Sequence, residues 1–230
     1  IVVHGFLFNR GEKMSKSVGN VIGPADLVRD YGLDQMRYFL LREVPFGQDG
    51  SYSHEAIVNR VNADLANDLG NLAQRSLSMI AKNCEGRAPA WGELTEADRA
   101  ILEAAYALPE KCRAAMQSFA IHTTLAETFK VVADANRYFA SEEPWTKRKT
   151  DFSRMATVLG VTAEVLRVVA IMAQPAMPGA MGKLLDILAQ PADARDFAHA
   201  DAAHRLEEGT ALPAPAPIFP RYVEQDEKKS

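Results

Sequence analysis

The chain has 230 residues and a mass of 25.2 kDa, with 47% hydrophobic and 24% charged residues; these values exclude a wholly disordered polypeptide and allow a sizeable core without disulfides or metals. Two cysteines, Cys84 and Cys112, form neither a disulfide framework nor a zinc knuckle and fit a reducing, cytoplasmic setting. A net charge of −4 and a pI near 5.8 announce no nucleic-acid binder in bulk, although a local basic patch can still serve one.

Ile1-Val2-Val3 reads as the middle of a strand, with no basic leader and no small-residue cleavage site. The sequence is therefore expected to lack a signal peptide and to be the C-terminal piece of a longer one. Ile1 to Phe8 is apolar, and Asn9-Arg10-Gly11 follows as a turn, which predicts a hairpin. Pro24 opens a helical pattern that Gly32 ends, and Asp34 is expected to cap a second helix carrying Met36, Tyr38, Phe39, Leu40 and Leu41. Gly50 to Ser53 reads as a short strand or turn.

From residue 54 to about 190 the pattern is helical. Ile57, Val61, Leu65, Leu69 and Leu72 recur at spacings of three and four and predict one helix from Ser53 to about Ala81. Thr95-Glu96-Ala97-Asp98 reads as a capping box, and Pro109 should interrupt the helix that follows. A helix is expected over 121–140, a break at Ser141 to Trp145, a helix capped by Thr150 or Asp151, and a last one over 181–188. About five helices joined by short loops make a bundle. Met155 to Pro175 is long and apolar, but Glu164 and Arg167 interrupt it. A charge at mid-bilayer costs about 3 kcal/mol or more, so a buried helix of a soluble protein is the better reading. Beyond Pro191 the chain turns polar; Pro213, Pro215, Pro217 and Pro220 predict an extended tail, with Ile218, Phe219 and Tyr222 docking on the body and a frayed charged end at 224–230.

Lys13-Met14-Ser15-Lys16-Ser17 carries the chemistry. Two ammonium groups three residues apart on a small loop can converge on one polyphosphate, with the serine hydroxyls and free amides as further donors. Phosphoryl or adenylyl transfer needs positive charge where negative charge develops on phosphorus. Taken alone, such a pentapeptide is equally a solvated turn. Its setting, after an apolar strand and a Gly-Glu pair and before a helical bundle, favours the chemical reading.

In this setting the sequence resembles the class I aminoacyl-tRNA synthetases, whose signature loop is Lys13 to Ser17. The run His4-Gly5-Phe6-Leu7 through Gly11-Glu12 and Val18-Gly19-Asn20-Val21-Ile22 is similar to methionyl-tRNA synthetases in particular. So are Tyr31-Gly32-Leu33-Asp34, Pro45-Phe46-Gly47-Gln48-Asp49-Gly50, Asn67 to Leu72 with Arg75, Pro144-Trp145, and Phe219-Pro220-Arg221. The resemblance implies a mainly α fold: an anticodon-binding helical bundle over 54–190, preceded over 1–53 by a small α/β segment that completes a Rossmann-type catalytic domain absent here, with a polar, Pro-rich tail over 191–230.

It also implies roles. Lys16, then Lys13, would contact the ATP phosphates and stabilise adenylation, with Ser15 and Ser17 as supporting donors and Met14 anchoring the loop by packing. Asn71 and Arg75, four apart on one helix face, would read base edges of the CAU anticodon, with Trp145, after Pro144, as the stacking platform. The bland alternatives are a solvated Arg75, a water-facing Asn71 and a Trp145 that fills the core. Lys147-Arg148-Lys149 is either a solvated face or a contact for tRNA phosphates. The expected function is ATP-dependent attachment of methionine to its tRNA, with Mg2+ and ATP bound mainly by the upstream half. No metal is expected on this chain, and neither membrane nor DNA is an expected partner. The family's His-x-Gly-His motif is missing, His4 having the wrong pattern, so this piece is expected to be inactive alone. The alternatives are a leucyl, isoleucyl, valyl or cysteinyl enzyme, or a non-catalytic helical tRNA-binding module. Cys84, Cys112 and the histidines show no ligand spacing.

Overall fold

The computed structural model describes residues 3–17 and 19–224. Near the N-terminus, β1 (Leu7–Asn9) pairs antiparallel with β2 (Glu12–Lys13), in the register Phe8 to Lys13 and Asn9 to Glu12. Arg10 and Gly11 form the turn, both in the left-handed region that a tight hairpin requires. The strand is shorter than the apolar run suggested: 3–6 carry no regular structure, and Ile1 and Val2 lie outside the described residues. A parallel third strand, β3 (Gly50–Tyr52), lies on the other side of β1, giving the order β2-β1-β3. Parallel pairing demands a crossover, and α1 (Pro24–Tyr31) and α2 (Leu33–Glu43) supply it.

Pro24 begins α1, and Gly32, at φ +94°, ends it by returning its N–H to the Val28 carbonyl. Asp34 does not cap α2, because Gly32 already occupies that position. Its carboxylate instead accepts the Ala180 N–H in the first turn of a helix far along the chain. Three α2 residues, Met36, Tyr38 and Phe39, are buried against the bundle. Arg37 adds donations to the Pro175 and Ala176 carbonyls, and Tyr38 donates to Asp64. The small α/β segment is thus fastened to the bundle by its own helix.

The first long helix starts as expected, with Ser53 Oγ accepting the Ala56 N–H. It is not α-helical throughout: α3 (His54–Arg60) passes into a π-helical stretch, Val61–Gly70, and then into α4 (Asn71–Asn83). Around an α-helix a four-residue step drifts by about 40°. The run Ile57, Val61, Leu65, Leu69 repeats that step three times, and all four side chains are nonetheless buried. The wider i→i+5 winding accommodates this repeat.

The remaining helices are α5 (Glu96–Tyr106), α6 (Leu108–Met116), α7 (Ile121–Glu142), α8 (Pro144–Lys147), α9 (Phe152–Ala173) and α10 (Pro178–Ile187). All five expected helices are present; Pro109 and Pro144 each open a further short one, as proline does at a first turn. The Thr95–Asp98 capping box is complete, and Asp151, rather than Thr150, caps α9. In the middle of the bundle, α9 packs against α4, α5, α7, α8 and α10. It is long and apolar enough to cross a membrane, yet 94% of its most apolar window is buried inside the protein.

The two charges in the interior of α9, Glu164 and Arg167, are fully buried and pair at 2.7 Å. Both residues find further partners nearby. Glu164 accepts from the Tyr106 hydroxyl and the Leu206 N–H, and Arg167 donates to the His199 and Asp201 carbonyls. The pair therefore holds the tail, which runs through three 3-10 turns (Ala192–Ala194, Phe197–His199, Ala202–His204). Ile218 and Phe219 are buried, and the Asn62 side chain brackets the Tyr222 backbone from both sides, accepting its N–H and donating to its carbonyl. The expected docking is what is observed; residues 225–230 of the charged end lie outside the described residues.

Candidate functional site

Two groups of residues stand out, one at each end of the sequence pattern. Lys13 closes β2, with its ammonium 5.7 Å above the centre of the Phe6 ring. Met14 turns inward and packs on the edge of the core. The chain then makes a tight turn: the Gly19 N–H, at φ +72°, donates to the Ser15 and Lys16 carbonyls. Ser15 and Ser17 share a hydrogen bond of 2.7 Å between their hydroxyls, and Lys16 and Ser17 are exposed.

Asn20 staples this loop shut. Its Oδ1 accepts the Ser15 N–H at 2.8 Å, its Nδ2 donates to the Lys13 carbonyl at 3.2 Å, and its own carbonyl accepts from the Asn9 side chain at 2.9 Å. One amide thereby joins both ends of the loop to β1. A cleft of about 470 Å³ opens beside it, walled by Asn9, Arg10, Glu12, Asn20, Tyr52 and His54. Lys13 and Lys16 are not among its lining residues. The loop presents cations and hydroxyls to solvent, a donor set for phosphate oxygens and not for a metal. No group of three or more metal-ligating side chains occurs among the described residues.

In the bundle, Asn71 and Arg75 lie one turn apart on the exposed face of α4. The Arg75 guanidinium sits 5.3 Å from the centre of the Phe139 ring and 5.2 Å from that of Trp145. The two rings are 5.9 Å apart and inclined by 53°. Trp145 does not fill the core; it is 42% exposed, while Pro144 before it is buried. A flat cation held against aromatic faces is a favourable contact, and a half-open indole can still stack a base. Of the basic run beside it, Arg148 and Lys149 are exposed, while Lys147 is drawn back to Glu142 at 3.6 Å.

Behind Trp145 lies a buried polar cluster. Arg154 reaches Asp98 at 2.5 and 2.9 Å and Glu142 at 2.9 and 3.1 Å. The Tyr138 hydroxyl also donates to Asp98. Burial opposes ionisation of Asp98, but the hydrogen bonds from Arg154, Tyr138 and the Thr95 backbone outweigh it and hold the carboxyl below its usual range. Burial raises Tyr138, as does its bond to Asp98. Burial also pushes both thiols up, so Cys84 and Cys112 are poor nucleophiles.

The structure thus exposes Asn71, Arg75 and Trp145 on the bundle, with Pro144 buried, and Lys13, Lys16 and Ser17 on the loop. Three contributors have no plain signal in the sequence. Phe139 reads only as one more apolar residue of α7, Asn20 as the end of a loop, and Arg154 as a surface charge. The one usable hint is the capping box, which marks Asp98 as fixed in place.

Comparison with known proteins bears on both surfaces. Residues 1–77 match the family model described as tRNA synthetases class I (M), and residues 88–230 match the anticodon binding domain of methionyl tRNA ligase. A methionine–tRNA ligase of Brucella melitensis is 69% identical over 99% of this chain, and one of Mycobacterium tuberculosis is 54% identical over 96%. Those matches cover 44% and 43% of the relatives, so the chain spans less than half their length. Among solved structures, the free M. tuberculosis methionyl-tRNA synthetase superposes with a TM-score of 0.90 at 49% identity, covering 97% of this chain and 44% of that one. The same enzyme in complex with methionyl-adenylate gives 0.92 at 54%, covering 95% and 43%.

Proposed function

The chain belongs to the methionyl-tRNA ligase family, and from that premise we propose that it is the C-terminal part of a cytoplasmic enzyme that attaches methionine to tRNA(Met) through methionyl-adenylate. Residues 1–53 would complete the catalytic domain with the ATP loop, 54–190 would bind the anticodon, and 191–230 would tie back onto the body. The observation that carries this reading is the placement of the Arg75 guanidinium against both Phe139 and Trp145, one turn from Asn71. On this reading the three would offer a hydrogen-bonding fork, an amide and an open aromatic face to one unstacked nucleotide.

In the proposed reaction the methionine carboxylate attacks the ATP α-phosphorus and pyrophosphate leaves. Lys16, with Lys13 beside it, meets the charge that develops on the phosphate oxygens, and Ser15 and Ser17 add donors. A solvent-facing loop that closes only on nucleotide offers these charges late in the reaction, where they lower the barrier. Mg2+ would arrive with ATP. The loop holds no carboxylate besides Glu12 at its edge, so the metal would be held by the nucleotide and by residues outside this loop. This chain alone would not complete the cycle. The charge-bearing bundle surface around Arg148 and Lys149 would follow the tRNA backbone.

The test is Arg75→Ala in the complete protein. Aminoacylation of tRNA with a CAU anticodon should fall by about 1–3 kcal/mol in kcat/KM, with ATP–pyrophosphate exchange unchanged. Equal aminoacylation by both proteins would remove Arg75 from the anticodon site.

A further inference from the structure

Trp145 stands on a joint. The helix α7 ends at Glu142, Glu143 takes a left-handed conformation at φ +42°, and Pro144 restarts the chain as α8. No helical ladder fixes the angle across such a break, so side chains must. Arg154, in the first turn of α9, does this from behind. Its Nε and Nη2 hold the Glu142 carboxylate, and Nη1 and Nη2 hold both oxygens of Asp98. Asp98 is itself immobilised, fully buried and bonded to the Thr95 backbone and to Tyr138, the neighbour of Phe139. On the far side of the joint Lys147 pairs with the same Glu142. One planar guanidinium thus ties α5, the last turn of α7 and α9 to a point three residues from Trp145. An ammonium cannot hold two carboxylates in this forked manner.

We propose that Arg154 is a positioning residue for anticodon recognition: by clamping Glu142 to Asp98 it sets the direction in which Pro144 and Trp145 leave α7, and with it the spacing of the Trp145 and Phe139 rings about Arg75. This rests on the reading of Asn71, Arg75 and Trp145 given above. Selectivity then depends on a side chain that touches no nucleotide, as it does when small misplacements of a recognition group are costly.

Two variants of the complete protein test this. Glu142→Ala leaves the buried Asp98–Arg154 pair intact and releases the end of α7 together with Lys147, and Arg154→Lys keeps the charge and loses the fork. Each should lower kcat/KM for CAU-bearing tRNA by about tenfold, chiefly through KM. The preference over a tRNA with one altered anticodon base should shrink by the same factor. ATP–pyrophosphate exchange and the melting temperature of Glu142→Ala should not move. Equal losses with both tRNAs, or an unaltered preference in Glu142→Ala, would overturn the proposal. Trp145→Ala is measured alongside. If it discriminates as well as the parent, the platform reading fails and takes the positioning role with it. If it loses discrimination while Glu142→Ala and Arg154→Lys retain it, only the positioning role fails.

Discussion

The loop around Lys16 and the surface around Trp145 take their order from different distances along the chain. The Asn20 hydrogen bonds that close the loop run between Asn9 and Asn20, within a dozen residues, and Lys13 and Lys16 are exposed. The Trp145 surface draws Arg75 from α4, Phe139 from α7 and Trp145 from α8, and behind it stand Asp98 from α5 and Arg154 from α9. A group that must close on a substrate gains from weak attachment, whereas a group that must discriminate between bases gains from being set in advance. On the proposed reading, chemistry would draw on a locally held loop and recognition on a surface assembled by long-range contacts.

That contrast can be broken most forcefully at Asp98. Asp98→Ala leaves the Arg154 guanidinium without its buried partner and should cost about 3–5 kcal/mol of stability, read by denaturant unfolding. The same carboxyl predicts a pH dependence. Its pKa in the folded protein is depressed, so its contribution is complete above the unfolded value of about 3.9 and is lost as pH falls through the lower folded value. Asp98→Asn should show a shallower loss of stability below about pH 4 than the parent; parallel curves would show that the carboxyl does not carry this term. At the loop the effect should be chemical instead. Lys16→Ala should slow adenylate formation in the complete protein by about 10²–10³ without altering the unfolding curve or the binding of tRNA. A change in stability of the same order would mean that the loop, too, is set by the core.

The same distances explain what could be read in the sequence. The signature pentapeptide, the Thr95–Asp98 box, the Pro109 and Pro144 breaks and the buried stripes of α4, α7 and α9 are local patterns and are found where expected. The methionyl resemblance is matched by both family models, which leaves no support for a leucyl, isoleucyl, valyl or cysteinyl reading. Three features escaped because their causes are remote or degenerate. The π-helical winding at Val61–Gly70 follows a four-residue repeat that an α-helix also tolerates over a few turns. Asp34 looks like a local cap and serves α10 instead. Arg154 reads as an exposed helical charge, and only the packing of α5 and α7 against α9 turns it into a clamp.

The assignment of Asn71, Arg75 and Trp145 depends on whether this bundle reads bases. A titration of the chain with CAU-bearing tRNA, with the same tRNA altered at one anticodon base, and of Trp145→Ala with both, at two salt concentrations, decides it. The prediction is that either change weakens binding by about 1–3 kcal/mol, to the same extent at both salt concentrations. Equal binding of the two tRNAs, weakened only by salt, would leave a nonspecific phosphate contact and contradict the assignment of Asn71, Arg75 and Trp145.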